Sequence, residues 1–214
     1  MNIISLNNTV PEVFAGRTDL ESDIWRKQVQ FEKGKVYLVE AGSGTGKSSL
    51  LSYIYGFRRD YQGDILFDDT NINLFSIKMW TELRKKTLSL LWQELRLFPE
   101  LSAWENVIIK NNITKFQNKK TIVSWFQQLG VEDKMDTIVD KMSFGQQQRV
   151  ALIRALCQPF DFIFVDEPIS HLDSLNANVM AEIILAEAKR QGAAVVVTSI
   201  GKRLDIEYEH IFNL

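Results

Sequence analysis

A chain of 214 residues with 45% hydrophobic content can bury a core without disulfide or metal staples. Its 25 lysines and arginines against 27 aspartates and glutamates leave a formal charge of −2, which excludes the strong basic field that nucleic acid or an anionic bilayer attracts. The single cysteine, Cys157, excludes an intramolecular disulfide and suits a reducing compartment; its plain reading is a small apolar residue on a helix face.

In chain order, the opening MNIISLNNTVPEVF has neither the basic start nor the long apolar stretch of a secretion signal. No later run approaches the ~18 to 20 apolar residues of a membrane span. The expectation is a cytoplasmic module that meets a membrane only through another subunit. The first buried strand is expected at Val36–Val39, followed by a helix over Lys47–Tyr55. From Glu94 to Met142 the text turns polar and helical, with Ile122, Trp125, Phe126 and Leu129 at spacings of three and four, so both aromatic rings read as packing residues. A helix over Gly145–Cys157, a strand at Phe162–Val165, a helix over Ser174–Arg190 and a strand at Ala193–Val197 complete the alternation. Strands and helices in turn imply an α/β fold with a mainly parallel sheet. No repeat or flexible linker divides the chain. The boundaries that follow are one unit over 1–214, with a core at 1–93 and 143–214 and an inserted helical subdomain at 94–142.

Two segments carry chemistry. VEAGSGTGKSS, Val39 to Ser49, follows a strand and opens a helix, which is where a phosphate loop sits. Glycines let successive N–H groups point into one concavity, and the helix adds its positive end. Gly42, Ser43, Gly44, Thr45, Gly46, Lys47, Ser48 and Ser49 form the expected nucleotide set. Within it Lys47 contacts the β and γ phosphates of ATP and Ser48 ligates Mg²⁺. Ala41 stands where the strict pattern has glycine, and the competing reading is an ordinary strand-to-helix turn. The second segment, PFDFIFVDEP, is an apolar strand ending in two carboxylates. Asp166 can hold magnesium, and Glu167 can polarise the water that attacks the γ phosphate. Alone, such a pair could be two solvated residues; 120 residues after a phosphate-loop lysine, it points to nucleotide hydrolysis.

Three further segments narrow the family. KMSFGQQQRVALIRAL, Lys141 to Leu156, resembles the signature motif and helix of ATP-binding cassette (ABC) ATPases. LWQELRLFPELSAWENV, Leu91 to Val107, resembles their glutamine loop, and PISHLDS looks like their D-loop, with Ser170, His171, Leu172 and Asp173 in place. The resemblance runs from about Gln28 to the C-terminus. In fold it implies a P-loop NTPase: a RecA-like core, a small N-terminal antiparallel β part and the helical insertion. In function it implies an ATPase subunit of a transporter or related membrane complex, using ATP and Mg²⁺. Two cassettes close head to tail, with each ATP between one subunit's phosphate loop and the other's signature, so a second cassette, identical or different, and a membrane-spanning permease are the implied partners. Ser143, Gly145 and Gln146 then face the γ phosphate across the interface, Asp173 belongs to the nucleotide set, and Gln93 approaches the magnesium and the water. RLFPELSAW, Arg96 to Trp104, is the expected docking region for the permease. Phe14, with Trp25 second, is the expected adenine-stacking ring. The short cassettes of lipoprotein-release, macrolide-efflux and cell-division complexes resemble this chain in length and texture.

Departures from the family pattern matter too. After Thr198, Ser199 occupies the place of a switch histidine and cannot carry charge at neutral pH, so slow hydrolysis is expected. Phe144 replaces the first glycine of the signature, which is costly if that position needs a positive φ and harmless if the ring packs at the lobe interface. A second reading is therefore an ATP-gated module that closes on ATP and hydrolyses little. A role on DNA or in translation lacks both the basic surface and the insertions of such relatives.

Overall fold

The computed structural model describes residues 1–42, 44–169 and 173–214. Among these, the strands are β1 (Ile3–Pro11), β2 (Gln28–Glu32), β3 (Val36–Glu40), β4 (Tyr61–Phe67), β5 (Thr70–Asn71), β6 (Leu88–Leu91), β7 (Phe162–Asp166), β8 (Ala194–Ser199) and β9 (His210–Asn213). The helices are α1 (Lys47–Ile54), α2 (Ile77–Lys86), α3 (Ala103–Thr114), α4 (Lys119–Gln128), α5 (Phe144–Leu156) and α6 (Ser174–Gln191). Every expected strand and helix named above is present, with ends displaced by one or two residues.

Strands β6, β7, β8, β3 and β9 lie in that order in one all-parallel sheet. Its centre is apolar on both faces because helices cover both: every residue of β7 and β8 is buried. Side chains alternate across the sheet as the pleat dictates. Leu38, Ile163, Val165, Val195 and Val197 join α5, α6 and the 94–142 stretch in one core. Tyr37, Val39, Phe162, Phe164 and Val196 face the other way, toward α1 and a second sheet. That second sheet, ordered β2-β1-β4-β5, is antiparallel and supplies the N-terminal β part.

The 94–142 stretch holds α3, α4 and two single 3-10 turns, Glu132–Lys134 and Val139–Lys141. A lone antiparallel bridge between Ser102 and Ile138 draws its two ends together. Ile122, Trp125, Phe126 and Leu129 are all buried in the core shared with α5. Cys157, buried just beyond α5, keeps its proton because burial pushes its thiol upward. Among the described residues no helix is long and apolar enough to cross a membrane.

Candidate functional site

In a parallel sheet, ligands gather at the carboxyl ends of the strands, and here β7, β8 and β3 are neighbours. Their register sets Asp166 beside Thr198 and Glu40 beside Ser199. The loop from β3 to α1 rises from this edge. Gly44 and Gly46 take φ values of 79° and 103°, which a side chain would strain. Below Gly46, the rings of Trp25 and Phe14 lie 3.1 and 3.2 Å from where a Cβ would stand. Ala41, by contrast, has no left-handed backbone; its N–H donates to Ser199 O at 3.0 Å, so the missing glycine costs nothing there. No side chain caps the first turn of α1 and no acid lies in it, leaving its amides directed at the loop. The result is a concavity of about 370 Å³, lined among others by Phe14, Gly42, Lys47, Ser48, Ser49 and Arg58. Thr45 Oγ1 donates to Gly42 O at 3.0 Å and closes the loop on itself. Ser43 lies outside the described residues, as do Ser170, His171 and Leu172.

The opposite wall comes from β7. Asp166 is 3% exposed, and Thr198 Oγ1 donates to its carboxylate. Burial raises the Asp166 pKa, against the pull of Thr198 and Lys47. Glu167 has a left-handed backbone, φ 47°, a conformation that costs on the order of 1–3 kcal/mol in a non-glycine residue. Its N–H donates to Thr198 O at 3.2 Å, and its carbonyl accepts from Gln148 Nε2 of α5. Both Lys47 and Gln93 reach its carboxylate: Lys47 Nζ stands 2.8 Å from Oε1, and Gln93 Nε2 donates to Oε2 at 3.1 Å. The three residues expected to carry the reaction, Lys47, Gln93 and Glu167, therefore form one contiguous chain.

Gln93 is followed by a strained turn. Leu95 and Arg96 are consecutive left-handed residues, φ 60° and 50°. Arg154 of α5 donates to both of their carbonyls, at 2.6 and 2.7 Å, and so pins the turn. Reading the sequence did not single out Arg154, although it stands within the signature helix. Arg58 was missed as well: it donates to Ser49 Oγ at 3.0 Å and pairs with Asp60.

The signature residues lie apart from the phosphate concavity and none lines it. Ser143 caps α5, its hydroxyl accepting from Gln146 N–H while Gln146 Oε1 accepts from Ser143 N–H. Gly145 O accepts from Arg149 Nε. Asp173 caps α6 by accepting from Asn176, the bond that holds its pKa below the usual range.

Several expectations are corrected. Trp25, the second candidate for adenine, is 1% exposed, and its Nε1 donates to Thr45 O at 3.0 Å; it props the loop from beneath and has no face for a base. Phe14, half-buried, does line the concavity, with Arg17 over its ring. Phe144 needs no positive φ, since it opens α5 as a helical residue, so the feared backbone cost is absent. The residue as a whole is 42% exposed. Ser199, expected in the nucleotide set, is buried and its hydroxyl donates to Lys202 O. His210 does not replace it, being stacked on Tyr37 in β9.

Comparison with known proteins accords with this geometry. The family model described as ABC transporter matches residues 26–170, more than half of the chain. The thiamine import ATP-binding protein ThiQ of Aliivibrio fischeri is 33% identical over 181 residues, covering 83% of this chain and 75% of its own length. The L-cystine import ATP-binding protein TcyC of Bacillus subtilis is 34% identical over 189 residues, with coverage of 83% and 75%. The lipoprotein-releasing system ATP-binding protein LolD of Buchnera aphidicola is 30% identical over 159 residues, with coverage of 73% and 69%. Among solved structures, the dimeric structure of MJ0796, a bacterial ABC transporter cassette, superposes with a TM-score of 0.77 over 92% of this chain and 87% of that one; at 24% identity this likeness establishes the fold. By sequence pattern, by relatives and by its phosphate-loop architecture, the chain belongs to the ABC transporter family, as one of its ATP-binding, ATP-hydrolysing cassettes.

Proposed function

We propose that this cassette binds Mg-ATP in the concavity above Trp25 and hydrolyses it with Glu167 as general base, while closing head to tail against a second cassette and docking on a membrane-spanning permease. The observation that carries the reading is the chain Lys47–Glu167–Gln93, which joins the phosphate loop, the end of β7 and the glutamine loop. Lys47 is engaged by Glu167, so an incoming γ phosphate competes for its ammonium. Once Lys47 turns to phosphate, Glu167 is released to take a proton from water, and Gln93 keeps its carboxylate oriented. The other nucleotide contacts assigned to this subunit are Phe14, stacking on adenine, and the first-turn residues Ser48 and Ser49. A partner's phosphate loop would meet Ser143, Gly145, Gln146 and Asp173, which the phosphate concavity of this chain leaves unused. The 94–142 stretch acts as the helical lobe packed against α5, the helix that the signature opens.

Magnesium fits the donors present. Ser48, Asp166 and Gln93 offer oxygen ligands only, as a hard cation demands, and Asp166 is a buried carboxylate with one hydroxyl donor. When bound there, Mg²⁺ would neutralise charge on the transferring phosphoryl group. The relatives named above serve thiamine import, L-cystine import and lipoprotein release in turn. What they share with this chain is the cassette, while their own cargoes differ from one another. Membrane location, at the cytoplasmic face, follows through the permease.

Ser199 favours a second reading in which turnover by the isolated cassette is slow. Its hydroxyl is committed to Lys202 O and would have to leave that carbonyl to meet a phosphate. Steady-state Mg-ATP hydrolysis tests both readings. Glu167→Gln is expected to cut turnover by about 10²- to 10⁴-fold while ATP stays bound and the protein shifts to dimer. Equal turnover in both proteins would remove Glu167 from its role, and a strict monomer at saturating Mg-ATP would sink the sandwich.

A further inference from the structure

Arg58 stands at the outer end of the phosphate concavity, just beyond the end of α1. Its guanidinium turns back along that helix, passing over the Tyr53 ring at 5.4 Å from the centroid. There Nη1 donates to Ser49 Oγ, in the first turn, at 3.0 Å. The same segment is tied to the opposite rim, where Glu12 N–H donates to Asp60 O at 3.0 Å, next in the chain to Val13 and Phe14. Arg58 thus lines one concavity with Phe14 and Ser49. Lys47 Nζ, by contrast, is directed at Glu167 on the wall of strand ends. Among the described residues that line the concavity, Lys47 and Arg58 are the only cations.

Asp60 answers the charge of Arg58. Its carboxylate accepts from Nε at 2.9 Å and from Nη2, and these bonds hold its pKa below the usual carboxylate range. The two side chains are 43% and 39% exposed, and an ion pair so open to water stabilises a fold very little. A guanidinium carries more N–H donors than the bonds to Asp60 and Ser49 employ. The fork that remains matches the oxygens of a phosphate better than any other side chain does.

We propose that Arg58 is a nucleotide-binding residue that reaches the α phosphate of ATP from the Ser49 side, with Asp60 as the counter-charge that the phosphate displaces in part. A nucleotide whose γ phosphate meets Lys47 and whose base stacks on Phe14 passes its α phosphate between them, beside the first turn of α1. That is where the bond to Ser49 presents Arg58. The inference rests on the reading that Mg-ATP occupies this concavity, and it adds a second cation, set against a phosphate that hydrolysis leaves untouched. A contact that is the same before and after hydrolysis contributes to affinity and not to the barrier.

The test is calorimetric titration of the full chain with Mg-ATP and, separately, with Mg-ADP. Arg58→Gln is expected to weaken both nucleotides by the same factor, about ten-fold. Arg58→Lys, which keeps the charge but not the fork, should recover part of the loss. Asp60→Asn probes a merely structural pair: it removes the counter-charge while keeping the backbone carbonyl that Glu12 and Tyr53 use, and it should weaken neither nucleotide. Unchanged affinities in Arg58→Gln overturn the proposal, as does a loss confined to ATP, which would move Arg58 to the γ phosphate. Equal weakening by Arg58→Gln and Asp60→Asn would make the pair a brace for the loop and overturn it as well. In each of these failures the wild-type chain still binds ATP. The nucleotide reading fails separately, if the wild-type chain binds neither nucleotide or if Lys47→Ala leaves the affinity unaltered.

Discussion

The wall of strand ends around Lys47 and the trough around Lys110, lined by α3, α5 and the Leu95–Phe98 segment, each hold a half-buried or buried lysine, and they differ in what answers its charge. Lys47 has Glu167 at 2.8 Å, and Glu167 is in turn held by Gln93. Lys110 has Arg154 as its charged neighbour and an apolar rim open to solvent. A site that handles a small ligand carries its own counter-charge, to be displaced by that ligand. Beside Lys110 and Arg154 no such carboxylate acts among the described residues. The same contrast holds for apolar side chains. Trp25 is spent inside, propping the phosphate loop, whereas Ile109 and Ile113 are left outside on α3.

The sharpest break in this comparison is Trp25→Ala. Removing a fully buried ring that also donates to Thr45 O should cost about 3–5 kcal/mol, read as a fall in the urea midpoint, and should loosen ATP binding through Gly46. A loss below about 1 kcal/mol would mean that the loop stands without its prop. Next comes Lys47→Ala, expected to weaken ATP binding by about 1.5–3 kcal/mol, the worth of a charge-assisted contact. The substitution should also destabilise the fold, since it leaves the buried Glu167 carboxylate, beside Asp166, without its ammonium. Unaltered affinity in a titration of labelled ATP would detach the loop from the nucleotide. The smallest effect belongs to Ile109→Ser, which should alter stability by no more than about 0.5 kcal/mol and leave turnover untouched. A large destabilisation would place that isoleucine in the core and close the trough.

Much of this architecture was legible before any coordinates. The phosphate loop, the β7 carboxylates and the buried strands announce themselves because their chemistry is local: glycines for a cramped backbone, consecutive apolar residues for a strand covered on both faces. The stripe Ile122, Trp125, Phe126 and Leu129 was equally plain, since helical spacing alone puts those residues on one side. Other features were not. Trp25 and Phe14 are both aromatic and both near the N-terminus, and only packing assigns one to the floor of the loop and the other to its mouth. Phe144 looked costly by substitution, yet the helical start that Ser143 caps makes its backbone ordinary. Arg154 carries no local mark of its contact with Leu95 and Arg96, more than fifty residues away in the chain.

By itself, then, the sequence determined the family, the alternation of strands and helices, and the short-range machinery of the loop, since these depend on neighbours within a turn or a strand. Only the tertiary structure decided that Ser199 spends its hydroxyl on Lys202 O, that Glu167 is clasped by Lys47 and Gln93, and that Lys110 and Arg154 share a trough. Those outcomes depend on the register of parallel strands and on helices packed across the sheet. Contacts between residues remote in the chain leave no pattern along it.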